Sequence, residues 1–135
     1  MSDYQSIGVI GAGAWGTALA QTAAIAGRDV ILWAHEDAVA DTINNNHVNS
    51  AYLPDVALHA RIRATADLAD LGSCGAILAV APAQHLRGVL KQFAPYATEA
   101  LPILLCAKGI EQSSLKLMTE VLAEEIPSAI PAVLS

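Results

Sequence analysis

Apolar positions alternate between two patterns along the 135 residues. Short apolar runs rich in β-branched residues predict buried strands. They fall at Ile7, Val9 and Ile10, at residues 29 to 33, at 75 to 80 and at 102 to 107. Two of these runs are nearly continuous, as in strands covered on both faces. Between them lie stretches with helical spacing at 17 to 26, 36 to 46, 85 to 93 and 115 to 126. Leu86, Val89, Leu90 and Phe93 share one helical face, with Arg87 and Lys91 on the other. Leu115, Met118, Val121 and Leu122 line one side of the last helix, with Ser113 or Ser114 as its cap.

Smaller elements fill the gaps. Residues 61 to 65 alternate as a short edge strand, and 66 to 71 predict a short helix. Tyr52-Leu53-Pro54-Asp55 predicts a turn. Gly27 is a helix stop, Pro82 is tolerated at a helix start, and Pro95 ends that helix. Ala132, Val133 and Leu134 open one more strand. Strand and helix alternate from end to end, which predicts an α/β fold with a doubly wound parallel sheet. The length suits a single domain.

Composition narrows the function. Hydrophobic residues make up 54% and mean hydropathy is +0.44, much of it from alanine. No apolar run reaches the roughly 18 residues of a membrane span. The first residues lack the basic region of a secretory signal, so the expectation is a cytoplasmic protein. The net charge of −6 and seven scattered basic residues argue against nucleic acid as a partner. Cys74 and Cys106 sit singly in apolar runs and predict buried core thiols. No His/Cys spacing suggests a metal site. His47 and His59 read as surface residues.

The chemistry centres on the end of the first strand. Gly11, Gly13 and Gly16 follow the spacing G-x-G-x-x-G between a predicted strand and a predicted helix, the context that makes this motif informative. Gly11 suits the tight turn, Gly13 lets a pyrophosphate approach the backbone, and Gly16 lets the helix pack close to the sheet. The helix start offers unpaired N–H groups and a positive dipole end to phosphates. The spacing thus predicts a dinucleotide site of Rossmann type. The bland alternative is a glycine turn needed only for packing. No Gly-Lys-Ser/Thr follows, so a P-loop is excluded.

Ligands of such sheets lie beyond the carboxyl ends of the strands. The glycine loop, the turn at 81 to 84 and Lys108 all fall there. The end of the second strand reads Trp33-Ala34-His35-Glu36-Asp37. An acid there favours the 2′-hydroxyl of NAD, and a basic group tolerates the 2′-phosphate of NADP. Glu36 and Asp37 serve equally well as acids complementing a helix dipole. Lys108 stands beside an apolar strand end, where a cation can neutralise a phosphate or polarise a carbonyl. It also reads as an ordinary exposed lysine.

Six segments together resemble one family. They are Gly-Ala-Gly-Ala-Trp-Gly-Thr-Ala-Leu-Ala at 11 to 20, Leu-Trp-Ala-His at 32 to 35, Tyr-Leu-Pro at 52 to 54, Ala-Pro-Ala-Gln at 81 to 84, Ala-Lys-Gly-Ile-Glu at 107 to 111, and Ala-Val-Leu-Ser at 132 to 135. In this order they resemble the bacterial NAD(P)-dependent glycerol-3-phosphate dehydrogenases. The resemblance implies that Gly11, Ala12, Gly13, Ala14, Trp15 and Gly16 carry the pyrophosphate, with His35, Tyr52 and Lys108 also binding the cofactor, NAD or NADP. It implies that Lys108 touches the substrate phosphate too. The implied reaction is reversible hydride transfer between NAD(P)H and dihydroxyacetone phosphate, giving sn-glycerol 3-phosphate for phospholipid synthesis. A homodimer of the full-length protein fits the same resemblance.

The chain departs from the family in three positions and in length. Ala14 stands where Ser is usual, Ala83 where Ser or Thr is usual, and Glu36 where some relatives carry Arg. An acid at 36 repels a 2′-phosphate and moves the expectation toward NAD. The family continues past the last segment into a helical substrate domain that supplies the general acid/base lysine. Residues 1 to 135 are therefore expected to be the dinucleotide-binding domain, with the general acid/base beyond Ser135. Two alternatives stand beside this reading. One is a free-standing NAD(P)-binding sensor; the other is the cofactor domain of a two-domain dehydrogenase acting on hydroxy acids.

Overall fold

The computed structural model describes residues 4–134. Its elements are β1 (Ser6–Ile10), α1 (Ala14–Ile25), β2 (Asp29–Trp33), α2 (Asp37–Asn46), β3 (Ile62–Thr65), β4 (Ala76–Ala79), α3 (Ala83–Phe93), β5 (Pro102–Leu105), α4 (Met118–Glu125) and β6 (Ile130–Val133). All strand pairs are parallel and the order is β3-β2-β1-β4-β5-β6. The sheet grows one way from β1 to β3 and the other way from β4 to β6, so the order switches between β1 and β4. This is the doubly wound arrangement expected from the sequence.

Successive strand residues face opposite sides of the sheet. Val9 packs with Ala20, Ala24, Val30, Leu32 and Ile43 under α1 and α2. Its neighbour Ile10 packs with Ile77, Leu86, Leu90, Phe93, Ile103 and Leu122 under α3 and α4. Each side of the sheet therefore has its own core, and both Val9 and Ile10 are fully buried. Gly8 thins the α3 side, where an added methyl would meet Ile77 Cδ1 at 2.6 Å. The buried face of α1 is Gly16, Thr17, Ala20 and Ala24, all small, so the helix lies close to the strands. Gly27 ends α1 at φ +92°, with the N–H groups of Gly27 and Arg28 donating to the carbonyls of Ala24 and Ala23.

Several predicted boundaries move. The predicted helix at 115 to 126 begins only at Met118, and neither Ser113 nor Ser114 caps it. The Ser114 hydroxyl donates instead to the Glu111 carboxylate, and Leu115 is exposed at φ +60°. Glu120 closes the helix start by accepting the Leu117 N–H at 2.9 Å. The predicted helix at 66 to 71 is a 3-10 segment, Leu68–Ser73, with Asp67 accepting the Ala69 N–H. α2 starts one residue later than predicted, with Glu36 preceding it and Asp37 in its first turn. Val89 is only partly buried on its face of α3. The strand predicted to open at 132 is β6, which starts earlier at Ile130, ends at Val133 and pairs with β5; Ser135 lies outside the described residues. Cys74 and Cys106 are free and buried.

Candidate dinucleotide site

The glycine loop leaves β1 at the switch in strand order. Gly11 takes φ +121°, which side chains rarely adopt, and its N–H donates to the Trp33 carbonyl at 3.1 Å. At Gly16 an added methyl would overlap the Gly11 carbonyl oxygen. At Gly13 an added methyl would meet nothing within 4 Å. Two of the three glycines are thus required by the protein's own backbone. The third keeps open space beside the start of a helix. The first intrahelical bond runs from Thr17 N–H to Gly13 O, and no side chain caps the turn before it. Its free N–H groups and the positive end of the helix dipole face that open space. A pyrophosphate fits this cradle.

A buried amide holds the loop in shape. Asn49, 1% exposed, donates from Nδ2 to the Ala12 carbonyl at 2.8 Å and to Thr17 Oγ1 at 2.9 Å. Its Oδ1 accepts the Tyr52 N–H at 3.2 Å, and its own carbonyl accepts the Leu53 N–H at 2.8 Å. The predicted turn at 52 to 55 is thereby tied to the glycine loop. The Tyr52 hydroxyl then reaches Glu36 Oε1 at 3.1 Å. That bond to Glu36 raises the Tyr52 pKa above its usual value. His35, exposed, stands edge-on to Trp33 with ring centroids 6.0 Å apart. Trp15 and Tyr52 are both exposed at the same edge.

Lys108 follows β5 and is exposed, with no hydrogen-bond or ion-pair partner among the described residues. The segment after it is firmly held. Glu111 is buried and meets Arg87 Nε at 2.9 Å, and Arg87 also pairs with Glu124 at 2.8 Å and Glu125 at 2.7 Å. Arg87 and then Ser114 hold the Glu111 carboxyl below its usual pKa. Gln84 clips the same segment twice: its Nε2 donates to Ile110 O at 3.0 Å, and its Oε1 accepts the Gln112 N–H at 2.8 Å. Pro82 precedes α3 and lets Gln84 sit in its first turn.

The structure therefore joins the glycine loop, Tyr52 and Glu36 in one bonded cluster, with His35 next to it in the chain. Lys108 stands apart on the same edge. From β2 to β5 there are three strand spacings, about 14 Å in all. The glycine loop, at the end of β1, lies between these two ends. A groove of about 420 Å³ near Trp33 and Tyr96 has no lining residue from the glycine loop. Sequence reasoning missed Asn49, Thr17, Arg87 and Glu111 as organisers of the site. Asn49 gave no signal, because it follows a polar Asn-rich run that reads as a helix end. Gln84, Thr17 and Glu111 were visible only as parts of matched segments.

A parallel sheet with an open, helix-capped glycine cradle at its switch point defines a dinucleotide-binding α/β domain. The chain belongs to the family described as NAD-dependent glycerol-3-phosphate dehydrogenase N-terminus, whose model matches residues 6–135. A glycerol-3-phosphate dehydrogenase [NAD(P)+] from Maricaulis maris is 70% identical over 135 residues, covering 100% of this chain and 40% of that protein. One from Parvibaculum lavamentivorans is 59% identical, covering 98% of this chain and 40% of its own length. The crystal structure of glycerol-3-phosphate dehydrogenase from Coxiella burnetii superposes with a TM-score of 0.90 at 32% identity, covering 98% of this chain and 41% of that one. The chain thus spans about two fifths of the length of these relatives.

Proposed function

We propose that the chain is the cofactor-binding part of a glycerol-3-phosphate dehydrogenase, which interconverts dihydroxyacetone phosphate and sn-glycerol 3-phosphate with NAD(P)H. The observation that carries this reading is the open space at Gly13 before an uncapped helix start. When bound, the dinucleotide supplies or accepts the hydride. The residues of this chain bind and orient. The first-turn N–H groups hold the pyrophosphate, and Trp15 is exposed beside them. His35, Glu36 and Tyr52 receive the adenosine end. Lys108 sets a cation at the far end of the edge, where it would neutralise a phosphate or polarise a carbonyl. No matched position stands for the general acid/base.

Two surroundings go with this reading. The buried free thiols suit a reducing cytoplasm. Among the described residues no helix is long and apolar enough to cross a membrane. A homodimer of the whole enzyme belongs to the same proposal and is checked by light scattering.

The test is a calorimetric titration of the chain with NADH and with NADPH, alongside quenching of Trp15 fluorescence. Saturable binding of either supports the site. Tighter NADH assigns the preference to Glu36, and tighter NADPH assigns it to His35. A folded chain that binds neither refutes the reading. Alone, the 135 residues are expected to bind without reducing dihydroxyacetone phosphate; turnover would place an acid/base among them. In a chimera carrying the remaining domain of a relative, reduction of hydroxypyruvate in preference to dihydroxyacetone phosphate would favour the hydroxy-acid alternative.

A further inference from the structure

Asn49 lies outside every segment that matched the family motifs, yet it is among the most buried polar residues described. Its amide orientation follows from its partners. Nδ2 faces two oxygens, Ala12 O and Thr17 Oγ1, and Oδ1 faces a backbone N–H. The bond to Ala12 O has a geometric consequence. In a trans peptide the carbonyl and the following N–H point in opposite directions, and every peptide bond described here is trans. Drawing the Ala12 carbonyl inward onto a buried amide turns the Gly13 N–H outward. At the same residue an added methyl would meet nothing within 4 Å, so the loop is open there.

We infer that Asn49 is a positioning residue for pyrophosphate binding: it fixes the Ala12–Gly13 peptide so that the Gly13 N–H donates to a phosphate oxygen. The inference rests on reading the glycine loop as the dinucleotide site. Thr17 Oγ1 has a lesser part, since its bond to Asn49 steadies the amide without touching the Ala12–Gly13 peptide. A free loop would sample both peptide orientations, and binding would have to select one of them.

The test is an amide-resolved NMR titration with ADP and with adenosine, on the unaltered chain, Asn49→Ala and Thr17→Val. ADP carries the pyrophosphate and adenosine lacks it. Asn49→Ala is expected to weaken ADP about tenfold and to change adenosine by less than about twofold. Thr17→Val is expected to change ADP by less than about threefold. Equal losses for ADP and adenosine in Asn49→Ala would mean general loosening and would overturn the inference. So would an ADP loss in Thr17→Val as large as that in Asn49→Ala. If Asn49→Ala does not fold, the unaltered chain decides: its Gly13 amide should shift with ADP and stay still with adenosine. An unmoved Gly13 amide overturns the inference. Absence of any ADP, NADH or NADPH binding by the folded unaltered chain refutes the site reading itself, and the inference with it.

Discussion

Two loops lie along one sheet edge, and they are built by opposite means. The glycine loop is held by a neutral amide buried to 1% exposure, through hydrogen bonds to the backbone and to Thr17. The Lys108 segment is held by charge, with Arg87 bracketed by Glu111, Glu124 and Glu125, and by the Gln84 clip. The difference follows from what each loop presents. Backbone N–H groups have no reach of their own, so their peptide planes must be fixed before the ligand arrives. A lysine carries its charge on a flexible four-carbon stem, so its charge can move while the segment behind it stays held. The first loop gains preorganisation; the second keeps adaptability.

The sharpest way to break the comparison is within the glycine loop. Gly16→Ala drives a methyl into the Gly11 carbonyl, so helix and loop must separate. Expected is a loss of roughly 3 kcal/mol of stability by urea denaturation, together with loss of NADH binding. Gly13→Ala adds its methyl to open space. It should cost about 1 kcal/mol or less as a change of helix N-cap, yet weaken NADH at least about tenfold by calorimetry. Stability and binding thus separate at two glycines three residues apart. Equal behaviour of the two variants would show that the loop is a packing turn only.

The charged support yields to pH, and the amide does not. Arg87 and Ser114 depress the Glu111 pKa in the folded state. The contribution of the pair is therefore fully present above the unfolded carboxyl value of about 4.3 and is lost as pH falls through the lower, folded value. Hydrogen exchange at pH 6 and pH 3.5, corrected for intrinsic rates, should show the amides of 108 to 117 losing protection several-fold. The hydrogen-bonded amides of Gly11 and Thr17 should hold theirs. Glu111→Gln should bring the same selective loss already at pH 6. Uniform loss across both segments would mean that the chain opens as one unit and that the charge network has no local role.

The sequence made one of these loops legible and hid most of the other. G-x-G-x-x-G carries its reason in the spacing, because two of its glycines are required by local backbone geometry. The strands were legible because β1, β4 and β5 are apolar on both faces, and the order switch followed from alternation of strand and helix. Lys108 was legible as a position at a strand end. Its support was not, because Arg87, Glu111 and Glu125 are brought together from α3, a loop and α4 across up to 38 residues. Glu111 also misled the boundary of the last helix: its bonds to Ser114 and Arg87 hold 111 to 117 as a loop, despite the helical spacing from 115 on. Asn49 acts on Ala12 across 37 residues, and no local pattern announces such a contact.

The smallest effect is expected at the exposed side chains of Tyr52 and Glu36. Their bond at 3.1 Å lies in solvent, where water competes for both partners. Tyr52→Phe should leave the urea midpoint unchanged and move NADH affinity by less than about threefold. It should also leave the ratio of NADH to NADPH affinity where it was, because the Glu36 charge remains. Glu36→Gln removes that charge with the shape kept, so it should raise NADPH relative to NADH several-fold while Tyr52 stays in place. Calorimetry of the four protein–ligand pairs separates the two contributions. A ratio that moves with Tyr52→Phe and not with Glu36→Gln would assign cofactor choice to the placement of the ring, and the acid at 36 would revert to a partner for the α2 dipole.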